Sequence, residues 1–337
     1  YLAEITDSET GSAEQKSAYY IQACVHAQEG AGTTNALYII KQLLEDEKNR
    51  DLVKKVAFYI IPRVNPDGTE YALTKRSVIR SRYTEAYGKN LLIPKDINND
   101  GYILNMRWKD PAGPMKEDEV DQRIMVRRQP GDKGPFYQIL TEGIIENYDK
   151  NELSESSSDA VENTKNIKLP RTIDFNRNWP VNWSKDMPGG ASYPFSEPEM
   201  KAVGDFLVTH PNIFAGIDLH CGGNGILRPS MKPDAEMNQE DLELILHIGK
   251  VAEEITGFPL IHEREYKEPW RQPIMLHGNS NDWAYYKMGI SHYVIELGNG
   301  FNCAGISTKE YFLAEPHIRE TIFMRRILKY HDNHKSN

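Results

Sequence analysis

Four apolar runs punctuate the chain: "AYYIQACVHA" at 18–27, "KVAFYIIPRV" at 55–64, "NIFAGIDLH" at 212–220 and "SHYVIEL" at 291–297. Each is rich in β-branched or aromatic residues and bounded by turn formers, the signature of a strand. They are apolar on both faces rather than alternating, so they are expected in the middle of a sheet covered on both sides. Between them, apolar positions recur at three- and four-residue intervals and predict helices. "TTNALYIIKQLLED" takes Thr33 or Thr34 as its N-cap. "SEPEMKAVGDFLVTHP" opens with Ser196, has Glu197 and Pro198 in its first turn, and stops at Pro211. "NQEDLELILHIGKVAEEITG" closes on Gly257, and "HIRETIFMRRILKYHDNH" is the last helix. Helices interleaved with buried strands predict an α/β layered domain.

The stretch from about 83 to 169 breaks this rhythm. It is polar, has few strand-like runs, and contains the Ser- and charge-rich tract "NYDKNELSESSSDAVENTKN". It reads as a long insertion whose latter part is exposed and mobile. Within it, "PKDINNDGYI" sets Asp96, Asn98 and Asp100 at alternating positions before Gly101, the opening of an EF-hand-type calcium loop. Position twelve of such a loop is Arg107 instead of Glu, so an acid-rich turn without an ion is the competing reading.

Composition narrows the classes. A chain of 337 residues with 39% apolar and 26% charged residues is a globular protein able to bury a full core, as one large domain or two small ones. A net charge of −9 argues against a nucleic-acid partner, which calls for a concentrated basic face. Cys24, Cys221 and Cys303 are too few and scattered for a disulfide framework, and no CxxC pair offers a thiolate zinc site. The longest apolar runs are strand-sized, far short of a membrane span. The chain opens at Tyr1 without a signal-like segment, so the compartment is not read directly from it.

The chemistry gathers at the ends of the apolar runs. His26-x-x-Glu29 offers two metal ligands just past a strand, and His220 in "GIDLHCGG" is the best third ligand from a distant strand end. Taken singly, each is as well read as a hydrogen-bonded structural residue. "NPDG" at 65–68 is a turn: Pro66 fixes φ while Asp67 and Gly68 accept the bend. "RTIDFNRNWPVNW" places Asp174, Asn176 and Arg177 together; an arginine fork beside an amide suits a carboxylate, with a surface salt bridge as the plain alternative. A Glu296 ending the apolar run "HYVI" needs a positive partner or a metal nearby. Cys221 reads as a small buried thiol, and His277 and His292 as ordinary polar or core histidines.

Together and in this order, "HAQE", "NPDG" followed by "RSVIRSR", "DFNRNW", "YPFSEPE", "DLHCGG" and "NDWAYYKMGISHYVIELGNG" resemble the zinc metallocarboxypeptidases of the carboxypeptidase A/B type, from about Ala18 to Arg325. The resemblance implies a mixed, mostly buried sheet with helices on both faces. It implies one peptidase domain over 1–337, interrupted at 83–169 and lacking the usual N-terminal helix and strand, with "YLAEI" as the tail of a strand. It implies one zinc on His26, Glu29 and His220, with Asp174 orienting His26. Glu296 is then the catalytic glutamate that shuttles a proton from water to the leaving amine. Arg80 steadies the oxyanion, with Arg76 and Arg82 as alternatives in register. Asn176 and Arg177 grip the free C-terminal carboxylate of a peptide substrate. These enzymes are usually secreted or periplasmic.

Two positions depart from the pattern. The family's tyrosine, eight residues before Asp282, falls on Ile274, with Tyr266 and His277 nearby but out of register. The base of the side-chain pocket falls on Asn281, a neutral amide that commits to neither apolar nor basic C-termini. The expectation is a zinc-dependent exopeptidase. A peptidoglycan-peptide hydrolase or amide deacylase on the same scaffold, and an inactive peptide-binding relative, are the alternatives.

Overall fold

All four apolar runs are strands. With three shorter ones they build a seven-stranded sheet: β1 (Ala3–Ile5), β2 (Ser17–Ala23), β3 (Val56–Ile61), β4 (Ile213–Cys221), β5 (Gly225–Arg228), β6 (Leu260–His262) and β7 (Ser291–Leu297), in the order β1-β3-β2-β4-β7-β5-β6. β2 pairs parallel with β3 and β4, and β4 parallel with β7. β1 on β3 and β5 on β7 are antiparallel, so the sheet is mixed. This computed structural model describes every residue except 76–78, 84–89, 148–166, 168–171, 264–276, 299, 308–309, 311–313 and 335–337. The Ser-rich tract therefore lies almost wholly outside the described residues.

Alternation along the strands divides the core in two. Tyr20 of β2 and Tyr59 of β3 meet Met200, Val203 and Leu207 of helix α2 (Pro198–Thr209) and Trp283 of helix α4 (Ser280–Met288). Ile21, Phe58 and Leu219 turn the other way, toward Ala36 and Leu43 of helix α1 (Gly30–Glu45). Helix α3 (Gln239–Thr256) covers β5 and β7 through Leu242 and Ile245 and ends on Gly257 in the left-handed conformation. Helices on both faces of a mixed sheet are the architecture the pattern predicts. α1 begins earlier than expected: Glu29, not Thr33 or Thr34, is its N-cap, and the Thr34 hydroxyl donates to Gly30 O inside the helix. Gly32 lets α1 lie against β4, since a Cβ there would sit 2.6 Å from Leu219 O.

The chain divides into two compact units. The sheet and its helices belong to the first, Tyr1–Glu70, Arg80–Arg82 and Ile173–Asn299. The second combines Tyr71–Ile79 and Tyr83–Thr172 with Gly300–Asn337. It has more strand than the polar sequence suggests: a four-stranded antiparallel sheet of Asn105–Lys109, Phe136–Thr141, Met115–Glu117 and Met125–Arg127, and a ladder of Leu91–Pro94 with Gly143–Glu146. Asn105–Lys109 is largely exposed and lacks the buried apolar run that marks a strand in sequence, whereas Phe136–Thr141 and Leu91–Pro94 are short apolar runs set in a polar stretch. Arg325 Nε donates to Asp118 Oδ2 at 2.8 Å, tying the last helix to this sheet.

Candidate active site

The parallel strands β2, β4 and β7 end at the same edge, where open α/β sheets place ligands. Beyond β2 the chain turns through Cys24 (φ 59°) and carries His26 and Glu29 to the start of α1. "NPDG" does more here than turn the chain. Pro66 opens the helix Pro66–Lys75, and the buried Asn65 side chain donates to Ser81 O (2.9 Å) and Val25 O (3.3 Å) while accepting from Gly68 N–H (2.9 Å). A Cβ on Gly68 would lie 2.2 Å from Ser81 O, so only glycine fits. Ala27 N–H donates to Arg80 O at 2.7 Å, which sets Arg80 beside His26.

His26, Glu29 and His220 converge and are all buried. His26 Nδ1 lies 2.9 Å from Glu29 Oε1 and 3.0 Å from His220 Nδ1, and His220 Nδ1 lies 3.1 Å from Glu29 Oε2. Ligand atoms of all three sit within 4.8 Å of one another, the grouping of this kind among the described residues. Two imidazole nitrogens facing each other over one carboxylate form the nitrogen and oxygen donor set of a catalytic zinc site. Asp174 Oδ1 is 3.0 Å from His26 Nε2, leaving His26 Nδ1 to face the centre. Asp174 also accepts from Asn176 N–H (2.8 Å) and, through Oδ2, from Arg80 Nε (2.9 Å). Glu296 is the Cα partner of His220 across the β4–β7 ladder. Arg177 is buried, donates through Nη1 to Asn176 O (2.7 Å), and has no hydrogen-bond partner for Nε among the described residues.

A model of peptidase family M14, described as zinc carboxypeptidase, matches residues 1–323. The chain belongs to the zinc carboxypeptidase family. It is similar to carboxypeptidase A6 of Mus musculus, 34% identical over 143 residues, which cover 38% of this chain and 31% of that protein. Carboxypeptidase B of Helicoverpa zea is 34% identical over 61 residues, 18% of this chain and 14% of that one. The chain thus aligns with less than a third of the length of either relative. The solved structure of carboxypeptidase A from Helicoverpa armigera shares the fold, with a TM-score of 0.50 at 16% identity over 98% of this chain and 64% of that one.

The electrostatics of this buried His–Glu–His group follow from burial set against close opposite charge. Burial alone would raise Glu29, but His26 and His220 outweigh it and hold the carboxyl well below the usual range. Asp174 is likewise held low against its burial by Arg80, His26 and Arg177. Burial disfavours a charged His220, yet Asp218 and Glu29 raise it well above an ordinary histidine. Glu296 goes the other way: burial, opposed mainly by His220, pushes it up to about 7. Burial pushes the Cys221 thiol up to about 11, which makes it an inert neighbour.

Asn281 lies at the head of α4, fully buried, and its amide donates to Glu263 Oε2 at 2.5 Å. Asn279 donates to the other oxygen at 2.7 Å. Burial, with Asp282 next, pushes Glu263 up to about 8. Sequence reasoning missed Glu263, Asp218 and Ser280. Only Asp218 left a signal, an acid two residues before His220 in an otherwise apolar strand. Ile274, Tyr266 and Arg76 lie outside the described residues.

The calcium candidates Asp96, Asn98 and Asp100 belong to the second unit. Asp96 accepts from Gly101 N–H (2.9 Å), Asn98 from Asp100 N–H (3.0 Å), and Asp100 from Tyr102 N–H (2.8 Å). Glu142, outside the loop, accepts from Ile97 N–H at 2.6 Å. Asp96 Oδ1 has no hydrogen-bond partner among the described residues.

Proposed function

We propose that the chain removes C-terminal residues from peptides by hydrolysis. One observation carries the reading: a buried His26–Glu29–His220 centre with a carboxyl raised to about 7, Glu296, on the adjoining strand. The donor set fits zinc, which when bound supplies charge that polarises a carbonyl and makes water more acidic. Asn176 and Arg177 hold the substrate's terminal carboxylate, and the Nε of Arg177, without a partner among the described residues, leaves a buried donor for it. Arg80, about one-third exposed and already beside Glu29 and Asp174, offers positive charge to the carbonyl oxygen as it becomes negative. Glu296 takes a proton from the attacking water and returns it to the departing amine. The water oxygen joins the carbonyl carbon, the C–N bond breaks, and a free amino acid leaves.

The test is a panel of peptides with free and amidated C-termini, alongside muropeptides and N-acyl amino acids, with and without chelator. Chelator-sensitive release of terminal residues from free but not amidated peptides supports the reading. Cleavage confined to muropeptides or N-acyl amino acids moves the chain to the hydrolase or deacylase alternative, and no turnover at all to a peptide-binding role.

A further inference from the structure

Asp218 and His220 are two residues apart on β4, so both side chains leave the same face of the sheet. Asp218 is completely buried, and its Oδ2 lies 3.0 Å from His220 Nε2, off the line of the ring N–H. The same oxygen accepts from Gln22 Nε2 at 2.6 Å and Ser280 Oγ at 3.1 Å. Tyr20 fixes Gln22 in turn, its hydroxyl donating to Gln22 Oε1 at 2.9 Å. Burying a carboxylate is costly without close partners, and Asp218 has the ring of His220 beside it and the hydrogen bonds of Gln22 and Ser280.

Ser280 closes the path. Its backbone N–H donates to Asn176 Oδ1 at 2.8 Å, Asn176 N–H donates to Asp174 Oδ1 at 2.8 Å, and that oxygen is 3.0 Å from His26 Nε2. From His26 through Asp174, Asn176, Ser280 and Asp218 to His220, every residue is buried. Each imidazole thus has a carboxylate 3.0 Å from Nε2, hydrogen-bonded at His26 and placed beside the ring at His220, and both present Nδ1 to Glu29.

We propose that Asp218 is a positioning residue for His220, as Asp174 is for His26, and that Ser280 links it to Asn176 in one buried circuit holding both imidazoles and the carboxylate clamp. Asp174 is hydrogen-bonded to His26 Nε2 and Asp218 sets a carboxylate 3.0 Å from His220 Nε2, so at both rings the proton is drawn to the Nε2 side and Nδ1 is kept for a cation. The inference rests on the metal-site part of the proposed function; its readout does not depend on whether any peptide is cleaved.

The experiment titrates zinc against a chromophoric chelator in the full chain, comparing wild type, Asp218→Asn and Ser280→Ala. Asp218→Asn should bind zinc about tenfold or more weakly, the range for loss of an outer-shell carboxylate. Ser280→Ala should weaken zinc about fivefold, the worth of one buried hydrogen bond. A purely structural role would lower the melting temperature of the metal-free protein and leave zinc affinity within about twofold of wild type. That result in Asp218→Asn overturns the positioning role; in Ser280→Ala it overturns the circuit. Should Asp218→Asn fail to fold, Asp218→Glu, which keeps the charge and moves it relative to His220 Nε2, takes its place: zinc affinity within about twofold of wild type overturns the positioning role.

Discussion

Two parts of the molecule offer the donors of a metal site, and they are built in opposite ways. His26 and His220 are 194 residues apart, brought together by neighbouring parallel strands and buried where water cannot satisfy them. Asp96, Asn98 and Asp100 lie within five residues of one another in a loop, and each accepts a backbone N–H of that loop. In the first case two ring nitrogens and a carboxylate face one another, a donor set that a cation would complete. In the second the local backbone already does most of that work, with Asp96 Oδ1 left over among the described residues. Alternating acids in sequence are therefore a weaker sign of an ion than distant ligands forced together by the fold.

The comparison can be sharpened at three scales. The largest effect belongs to Glu296→Gln, which keeps shape and removes the proton acceptor. Its kcat should fall about 10²- to 10⁴-fold while zinc content stays at the wild-type level. Undiminished turnover in a steady-state assay would remove Glu296 from the chemistry. Next is the pH dependence of zinc uptake. Asp218 and Glu29 raise His220, so below its pKa zinc must displace a proton. Affinity should then fall about tenfold for each unit of acidification through that range, with proton release seen by calorimetry in buffers of different ionisation enthalpy. A flat profile would mean that His220 is not displaced and not a ligand. The smallest effect is at the loop: about 10 mM calcium should raise the melting temperature by about 2 °C if the loop binds in the millimolar range. An unmoved transition would leave the loop as a plain backbone cap.

The sheet was legible because its central strands are mostly buried, which writes them as apolar runs; β3 and β7 fall inside the segments the pattern marks, and β2 and β4 overrun theirs by one residue. That His26, Glu29 and His220 come together was legible because the first two are three residues apart just past a strand and an apolar strand delivers the third to a glycine turn. Asp218, Ser280 and Glu263 were not singled out, since the meaning of each comes from a partner outside its own segment. Ser280 reaches Asn176 across 104 residues and Asp218 across 62, distances at which no local pattern speaks. The glycine that matters for α1 was also hidden. Gly30 meets nothing within 4 Å of an added Cβ, whereas Gly32 is pressed against Leu219 of β4. Of the second unit's strands, Asn105–Lys109 was missed because it carries Arg, Lys and Trp in place of an apolar alternation, and Leu91–Pro94 and Phe136–Thr141 because they are short runs in a polar stretch.

Metal analysis of the purified chain tests the central claim most directly, after incubation with zinc and removal of loosely bound ion. The wild type should retain one zinc per chain, and His220→Ala less than about a tenth of that, because a three-ligand site cut to two no longer holds the ion. Equal zinc in the two proteins, or none in the wild type, would contradict a shared ion at His26, Glu29 and His220.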